Sequence, residues 1–167
     1  GLQKEKPLEF SLAGKLDSQI VTGFIPELAA SGRVALELHA GGTLNDIDWD
    51  GRIEVKDNRL QFEAIHLFAE QIHGVVSIDK GKFVMERWSG NLNGGTIELK
   101  GSVALTKRKP PEVDLRLQMA GVKFNFPKGL FTDISGELQW LTSRPGYLLK
   151  GNIDLNGGNY NESFSVG

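Results

Sequence analysis

Residues 88–103 read WSGNLNGGTIELKGSV, and this stretch shows the pattern that organises the chain. It holds two copies of one five-residue phrase: an apolar residue, any residue, a glycine, any residue, an apolar residue. The copies begin at Trp88 and Leu99, and the Asn-Gly-Gly of residues 93–95 between them tolerates tight-turn geometry. Apolar residues at every second position are typical of a strand with one apolar and one polar face. The stretch therefore predicts two antiparallel strands joined by a hairpin.

The phrase occurs seven times, and its central glycine always lies on the apolar side of the alternation. These glycines are Gly14, Gly51, Gly74, Gly90, Gly101, Gly136 and Gly151. Their spacing is uneven, so the phrases do not form a repeat of fixed period. A glycine inside a strand marks a bend or a place where something approaches the backbone closely. The sequence therefore predicts a curved sheet with an apolar, notched inner surface.

Length and composition indicate one folded segment without a general affinity for nucleic acid. The 167 residues are 40% hydrophobic and 24% charged, which suits a single unit over 1–167. Basic and acidic residues are interspersed with a net charge of −2, so no nucleic-acid partner is predicted. The one basic run, residues 107–109, is interpreted as a solvated loop before two prolines. Cysteine is absent, which fits reducing and oxidising compartments alike.

Alternation and turn residues divide the chain into eleven predicted strands connected as a meander. They cover residues 8–16, 33–40, 46–56, 59–67, 71–79, 82–92, 95–105, 112–124, 133–142, 146–155 and 160–166. One stretch, residues 18–30, lacks alternation and predicts a short helix near 26–31, beginning at Pro26 and stopped by Gly32. No apolar run approaches the roughly 20 residues of a membrane span. The chain begins as though cut from a longer protein, so we expect targeting segments to lie outside it.

The acidic residues Asp46, Asp48 and Asp50, followed by Gly51, match the first positions of a calcium-binding loop. Position 12 of that loop would be Asp57 instead of the usual bidentate glutamate, and a strand rather than a helix is predicted to precede it. Because the three acids also alternate with apolar residues, they are interpreted as the solvated face of a strand.

No catalytic or metal-binding constellation is predicted. The three histidines, His39, His66 and His73, have no zinc-site spacing, and cysteine ligands are missing. No serine lies in a nucleophile-elbow phrase or beside a plausible base, and the glycine pairs belong to hairpins and not to phosphate-binding loops. We therefore predict a protein that is not an enzyme and uses no cofactor or metal.

The apolar face is the candidate functional surface. Fourteen of its residues, called the groove residues below, are Leu36, Trp49, Ile53, Phe62, Ile78, Met85, Trp88, Leu99, Val103, Leu115, Phe124, Leu138, Trp140 and Ile153. Alternation alone fits a β-sandwich or a closed barrel whose core these side chains fill, and it favours that interpretation. The glycines favour an open trough, because glycine at the centre of strand after strand would leave an unfilled lane in a sandwich core. Such a lane suits an apolar ligand such as an acyl chain.

The order of the phrases resembles the TamB translocation-and-assembly-module family. The resemblance rests on Ala30-Ser-Gly32-Arg-Val34 leading to Gly42-Thr43, on Trp49-Asp-Gly51-Arg-Ile53-Glu-Val55, and on Gly94-Gly95-Thr-Ile97-Glu-Leu99-Lys-Gly101. Later runs add Phe126-Pro127-Lys-Gly129-Leu130-Phe131, Ile134-Ser-Gly136-Glu-Leu138 and Leu149-Lys-Gly151-Asn-Ile153. It implies a taco-like trough with an apolar interior, in a long periplasmic β-structure with an N-terminal membrane anchor.

The family resemblance also implies a function and partners. We expect a periplasmic segment, tethered to the inner membrane by a part outside this chain, that shields phospholipid acyl chains between the inner and outer membranes. The expected partners are phospholipid acyl chains, neighbouring segments of the same chain, and an outer-membrane barrel of the Omp85 class in autotransporter assembly. The alternative is an interaction module that holds unfolded β-strands of client proteins or docks the barrel by strand addition. A carbohydrate-binding sandwich is less favoured, because it needs aromatic residues on the polar face.

Overall fold

The computed structural model describes residues 6–107, 109–125 and 129–160, and these form one antiparallel sheet of nine strands. The strands are β1 (Leu8–Asp17), β2 (Leu28–Thr43), β3 (Asp46–Phe62), β4 (Leu67–Asp79), β5 (Lys82–Leu92), β6 (Gly95–Ala104), β7 (Glu112–Asn125), β8 (Leu130–Ser143) and β9 (Gly146–Tyr160). Each strand pairs with the next along the chain, which confirms the predicted meander. Two short 3-10 helices, Ser18–Gly23 and Glu63–Ile65, connect β1 to β2 and β3 to β4.

The strand boundaries differ from the prediction in three places. The predicted strands 46–56 and 59–67 are largely one long strand, β3, which continues through a bulge near Asn58. The predicted strand 33–40 is longer at both ends, as β2. The predicted strand 160–166 lies outside the described residues, apart from Tyr160 at the end of β9.

The helix predicted near 26–31 is wrong. Leu28 and Ala30 pair with Phe62 and Leu60 in the β2–β3 ladder, so strand pairing overrides the local helical preference. The helical turn lies upstream, at Ser18–Gly23, where the Asp17 carboxylate accepts a hydrogen bond of 2.8 Å from the Gln19 N–H.

The ladder registers place the apolar residues of all nine strands on one face. Partners across an antiparallel ladder point to the same side of the sheet. One row of such partners runs from edge to edge as Gly14, Leu36, Ile53, Val76, Met85, Gly101, Leu115, Trp140 and Leu149. The alternation in the sequence therefore becomes one continuous apolar surface, called the apolar face below.

The sheet is a single layer, so the closed sandwich is not the fold of this chain. Its accessible surface is 12202 Å², against roughly 8,100 Å² expected for a compact protein of this mass. In the described part of the chain Val122 is the only large side chain that is fully buried. A small core forms where Val55, Ala69 and Ile72 pack together, with Trp88 against them. Most of the apolar face therefore stays open to solvent.

Bulges and end contacts curve this layer into a trough. Register shifts occur in several ladders, for example around Gly32, between Met85 and Trp88, and between Met119 and Val122. At one end, Lys107 donates a 3.1 Å hydrogen bond to the Asn45 carbonyl oxygen and forms an ion pair with Asp46. This contact joins the β6–β7 loop to the β2–β3 turn at one end of the strands, as a curved sheet allows.

Candidate functional site

All fourteen groove residues lie in strands and on the apolar face. Three are exposed, Trp49 at 41%, Trp140 at 45% and Ile153 at 46%, whereas Ile78 is buried at 6%. The other ten are half-buried. The structure thus brings the predicted residues together on one surface; that this surface binds lipid stays a prediction.

Exposure on the apolar face increases from the middle of the sheet toward its edges. Ile78 in β4 and Val113 in β7 are less than a tenth exposed. Every residue of the edge strand β1 is exposed, and in β9 at the other edge Leu149 and Leu155 are each 66% exposed. A single-layered sheet produces this gradient, because side chains of the inner strands have a neighbouring strand on both sides and those of the edge strands do not.

The glycines of the apolar face are places of close backbone approach. A Cβ at Gly101 would lie 2.0 Å from the Asp114 carbonyl oxygen, and one at Gly136 would lie 2.1 Å from that of Asn152. These two glycines also have φ values of +134° and +145°, which residues with side chains rarely adopt. Because these glycines have no side chain, the neighbouring strand can approach their backbone closely.

The remaining motif glycines show which part of the prediction fails. Added Cβ atoms at Gly51, Gly74, Gly90 and Gly151 would also meet neighbouring atoms at 3.2 Å or less, whereas Gly14 has open space. The predicted bend or close approach is thus confirmed for six of the seven glycines. The interpretation as an unfilled lane is wrong at Gly74, which the Trp88 ring covers. At the other five the close neighbours are chiefly atoms of the paired strand, and a lane above them stays a prediction.

Trp88 shows how one side chain fills such a notch. Its indole ring lies over Gly74, where an added Cβ would be 2.4 Å from the ring. The indole N–H donates a 3.1 Å hydrogen bond to the Val75 carbonyl oxygen. The ring is thereby fixed on the floor of the trough, next to the small core.

Asn58 is a structural residue of the apolar face that the sequence analysis missed. It is 3% exposed, and its side-chain amide donates to the carbonyl oxygens of Arg33, at 2.8 Å, and Lys56, at 2.9 Å. These bonds hold the bulges where β2 and β3 bend. The available signal was the Asp57-Asn58 pair, which interrupts the alternation and suggested a break between two strands.

The opposite face is polar and solvated. Asp46, Asp48 and Asp50 lie in β3 and are exposed, which confirms a strand instead of a calcium-binding loop. His39 Nδ1 is 2.9 Å from Ser11 Oγ, and His73 Nε2 is 3.1 Å from Asp57 Oδ1, all on exposed side chains. Within the described ranges no three His, Asp or Glu side chains come together as a metal-binding group. None of the described helices is long and apolar enough to cross a membrane.

The single-layered sheet with an exposed apolar face defines the class of the protein: an all-β, curved antiparallel sheet that is not closed into a barrel. A family model, the TamB C-terminal domain, matches residues 86–163, from β5 to beyond the described end of β9. Residues 86–163 are therefore similar to the TamB C-terminal domain, which supports the resemblance to the TamB family. TamB proteins are periplasmic, anchored in the inner membrane, and act as transport and assembly modules of outer-membrane biogenesis. Neither a curated protein nor a solved structure matches the chain.

Proposed function

We propose that this chain is a periplasmic trough segment that shields phospholipid acyl chains on their way between the inner and outer membranes. The observation that supports it is the exposure of the apolar face across all nine strands. Soluble monomers rarely leave contiguous apolar patches larger than a few hundred Å² uncovered. An acyl chain would cover this face, and each methylene group removed from water contributes about 0.8 kcal/mol.

The dimensions of the sheet suit a continuous lipid path. Nine strands spaced about 4.8 Å apart extend the apolar face by about 38 Å across the strands. Within the described part of the chain, β1 and β9 each pair on one side only, so neighbouring segments of the same protein can continue the sheet and lengthen the trough. The mechanism is passive: the apolar face holds the chains, and the charged outer face keeps the trough solvated. A segment outside this chain would tether it to the inner membrane.

Charges placed in the trough test this function. In Val103→Asp and Ile153→Asp, an ion lies where acyl chains must pass, and its desolvation costs several kcal/mol. Since Val103 is half-buried and Ile153 is 46% exposed, both carboxylates can still reach water and folding should survive. The matched controls, Ser102→Asp and Asn152→Asp, occupy the adjacent outer positions.

The measurement combines circular dichroism with mass spectrometry of phospholipid that co-purifies with each variant. We expect folded proteins throughout, with bound lipid strongly reduced only in the two inner variants. Folded inner variants that retain a full complement of lipid would contradict the proposal.

The second candidate is an interaction module for β-strands, supported by the two free edges. β1 is exposed along its whole length, and β9, which among the described strands pairs only with β8, has exposed leucines. Such edges add strands readily, so a client strand or an Omp85-class outer-membrane barrel can dock there by strand addition. A benzoylphenylalanine in β1, for example at Ala13, tests this candidate: polypeptide adducts there would support it, and their absence would contradict docking at that edge.

A further inference from the structure

A cavity of about 440 Å³ opens where the β6–β7 loop meets the β8–β9 turn, at one end of the strands. Lys109 and Arg144 line it together with Thr142, Tyr147 and Glu112. The Tyr147 hydroxyl donates a 2.9 Å hydrogen bond to the Pro111 carbonyl oxygen, which ties the turn to the loop. Two cationic side chains of separate segments therefore share one built concavity.

This cavity is continuous with the apolar face. Tyr147 pairs with Thr142 across the β8–β9 ladder, two residues along from the pair of Trp140 and Leu149. The rings of Tyr147 and Trp140 make an edge-to-face contact with their centroids 5.9 Å apart. Trp140, at 45%, and Leu149, at 66%, present exposed apolar surface next to the cavity. A ligand can thus place a chain on these residues and a polar end among the cations.

We propose that Lys109 and Arg144 bind the headgroup phosphate of a phospholipid whose acyl chain lies over Trp140 and Leu149. This inference rests on the lipid-shielding function proposed above and assigns the end of the strands at which the headgroup is held. Two neighbouring cations favour an anionic ligand. The adjacent apolar face favours an anion that also carries an acyl chain. Tyr147 is amphipathic and lies at the boundary between the two environments.

Glu112 allows a variant that should strengthen phospholipid binding instead of weakening it. Its carboxylate lies 3.5 Å from the Arg144 guanidinium and lines the same cavity, so it competes with phosphate for that cation. Both side chains are largely exposed, at 60% and 82%, so the ion pair is weak and phosphate can displace it. Glu112→Gln should therefore tighten phospholipid binding, whereas the matched change Glu27→Gln, at the opposite end of the strands, should not.

The experiment is calorimetric titration of the 167-residue chain with dihexanoyl phosphatidylglycerol below its micelle concentration. Dihexanoyl glycerol supplies the same chains without phosphate, and glycerol 3-phosphate and inorganic phosphate supply the anion without chains. Lys109→Gln and Arg144→Gln remove one cation each, and Lys123→Gln, an exposed lysine near the other end of β7, is the matched control.

We expect Lys109→Gln and Arg144→Gln each to weaken phosphatidylglycerol binding by about three- to tenfold, with dihexanoyl glycerol and the Lys123→Gln control unaffected. Raising the salt concentration should weaken only the phosphate-bearing lipid. Equal binding of both lipids, unchanged in the variants, would overturn this inference and leave acyl-chain shielding intact. Binding of neither lipid would overturn the proposed function and this inference with it. Free phosphates that bind as tightly as the phospholipid would also overturn it, because the cations would then recognise a soluble anion.

Discussion

At the scale of single residues, the glycines of the apolar face allow the backbones of neighbouring strands to approach closely. Gly101 and Gly136 have φ values that favour glycine and lie against carbonyl oxygens of the next strand. The sequence predicted close approach at these positions from the phrase alone, because a glycine among large apolar neighbours has few other uses in a strand. It could not show whether a ligand or a neighbouring strand makes the approach. That depends on how far the sheet bends, which bulges and residues such as Asn58 determine.

Alanine substitutions at two motif glycines should therefore have opposite consequences. Gly101→Ala requires a strained φ and a contact of 2.0 Å with the Asp114 carbonyl oxygen, so we expect a loss of about 2 kcal/mol or more in the free energy of unfolding. Gly14→Ala meets nothing within 4 Å and should be neutral or slightly stabilising. Urea unfolding followed by circular dichroism measures both. Equal stability of the two variants would show that the bend at Gly101 is not as described.

At the scale of elements, the meander could be predicted because each hairpin has its own local turn signal. The failures fall where tertiary pairing outweighs local preference. Residues 28–31 prefer a helix by composition but complete the ladder against the end of β3. The predicted strands 46–56 and 59–67 are largely one strand, β3. The alternation breaks at a bulge that the buried Asn58 stabilises, and the strand continues beyond it. A long strand with a bulge cannot be told from two short strands when the alternation alone is considered.

The strands should differ in local stability in step with their burial. β1 is exposed throughout, whereas β4 carries the buried Ala69, Ile72 and Ile78 and pairs on both sides. Amide hydrogen exchange should therefore be fast in β1 and slowest in β4, because an edge strand opens without disrupting the small core. Mass spectrometry of deuterium uptake by peptide measures this. Protection that is uniform from β1 to β4 would contradict a single-layered sheet and favour a second layer over β1.

At the scale of the whole molecule, the open trough could not be distinguished from a sandwich by alternation. Both folds need strands with one apolar face, and they differ only in what covers that face. The glycine phrases favoured the trough, and the structure adds that six of these glycines allow close approach of a neighbouring strand, with Gly74 covered by Trp88. The order of the phrases along the chain, which resembles that of the TamB family, favoured the trough where alternation within single strands could not. The Lys109 and Arg144 site was missed because its cations come from a loop and a turn that only the fold brings together.

The central claim is that the apolar face, and not the outer face, contacts lipid, and neighbouring residues of β6 test it most directly. Leu99 lies half-buried on the apolar face, and Lys100 is exposed on the polar face. A benzoylphenylalanine at each position, irradiated in the periplasm, records what touches the two sides of the same strand. We expect phospholipid adducts at Leu99 that are about tenfold more abundant than at Lys100, because an acyl chain gains free energy by covering the apolar face and not the polar one. Equal adducts at both positions, or none at either, would contradict the account, and adducts to a polypeptide strand at Leu99 would favour the interaction module instead.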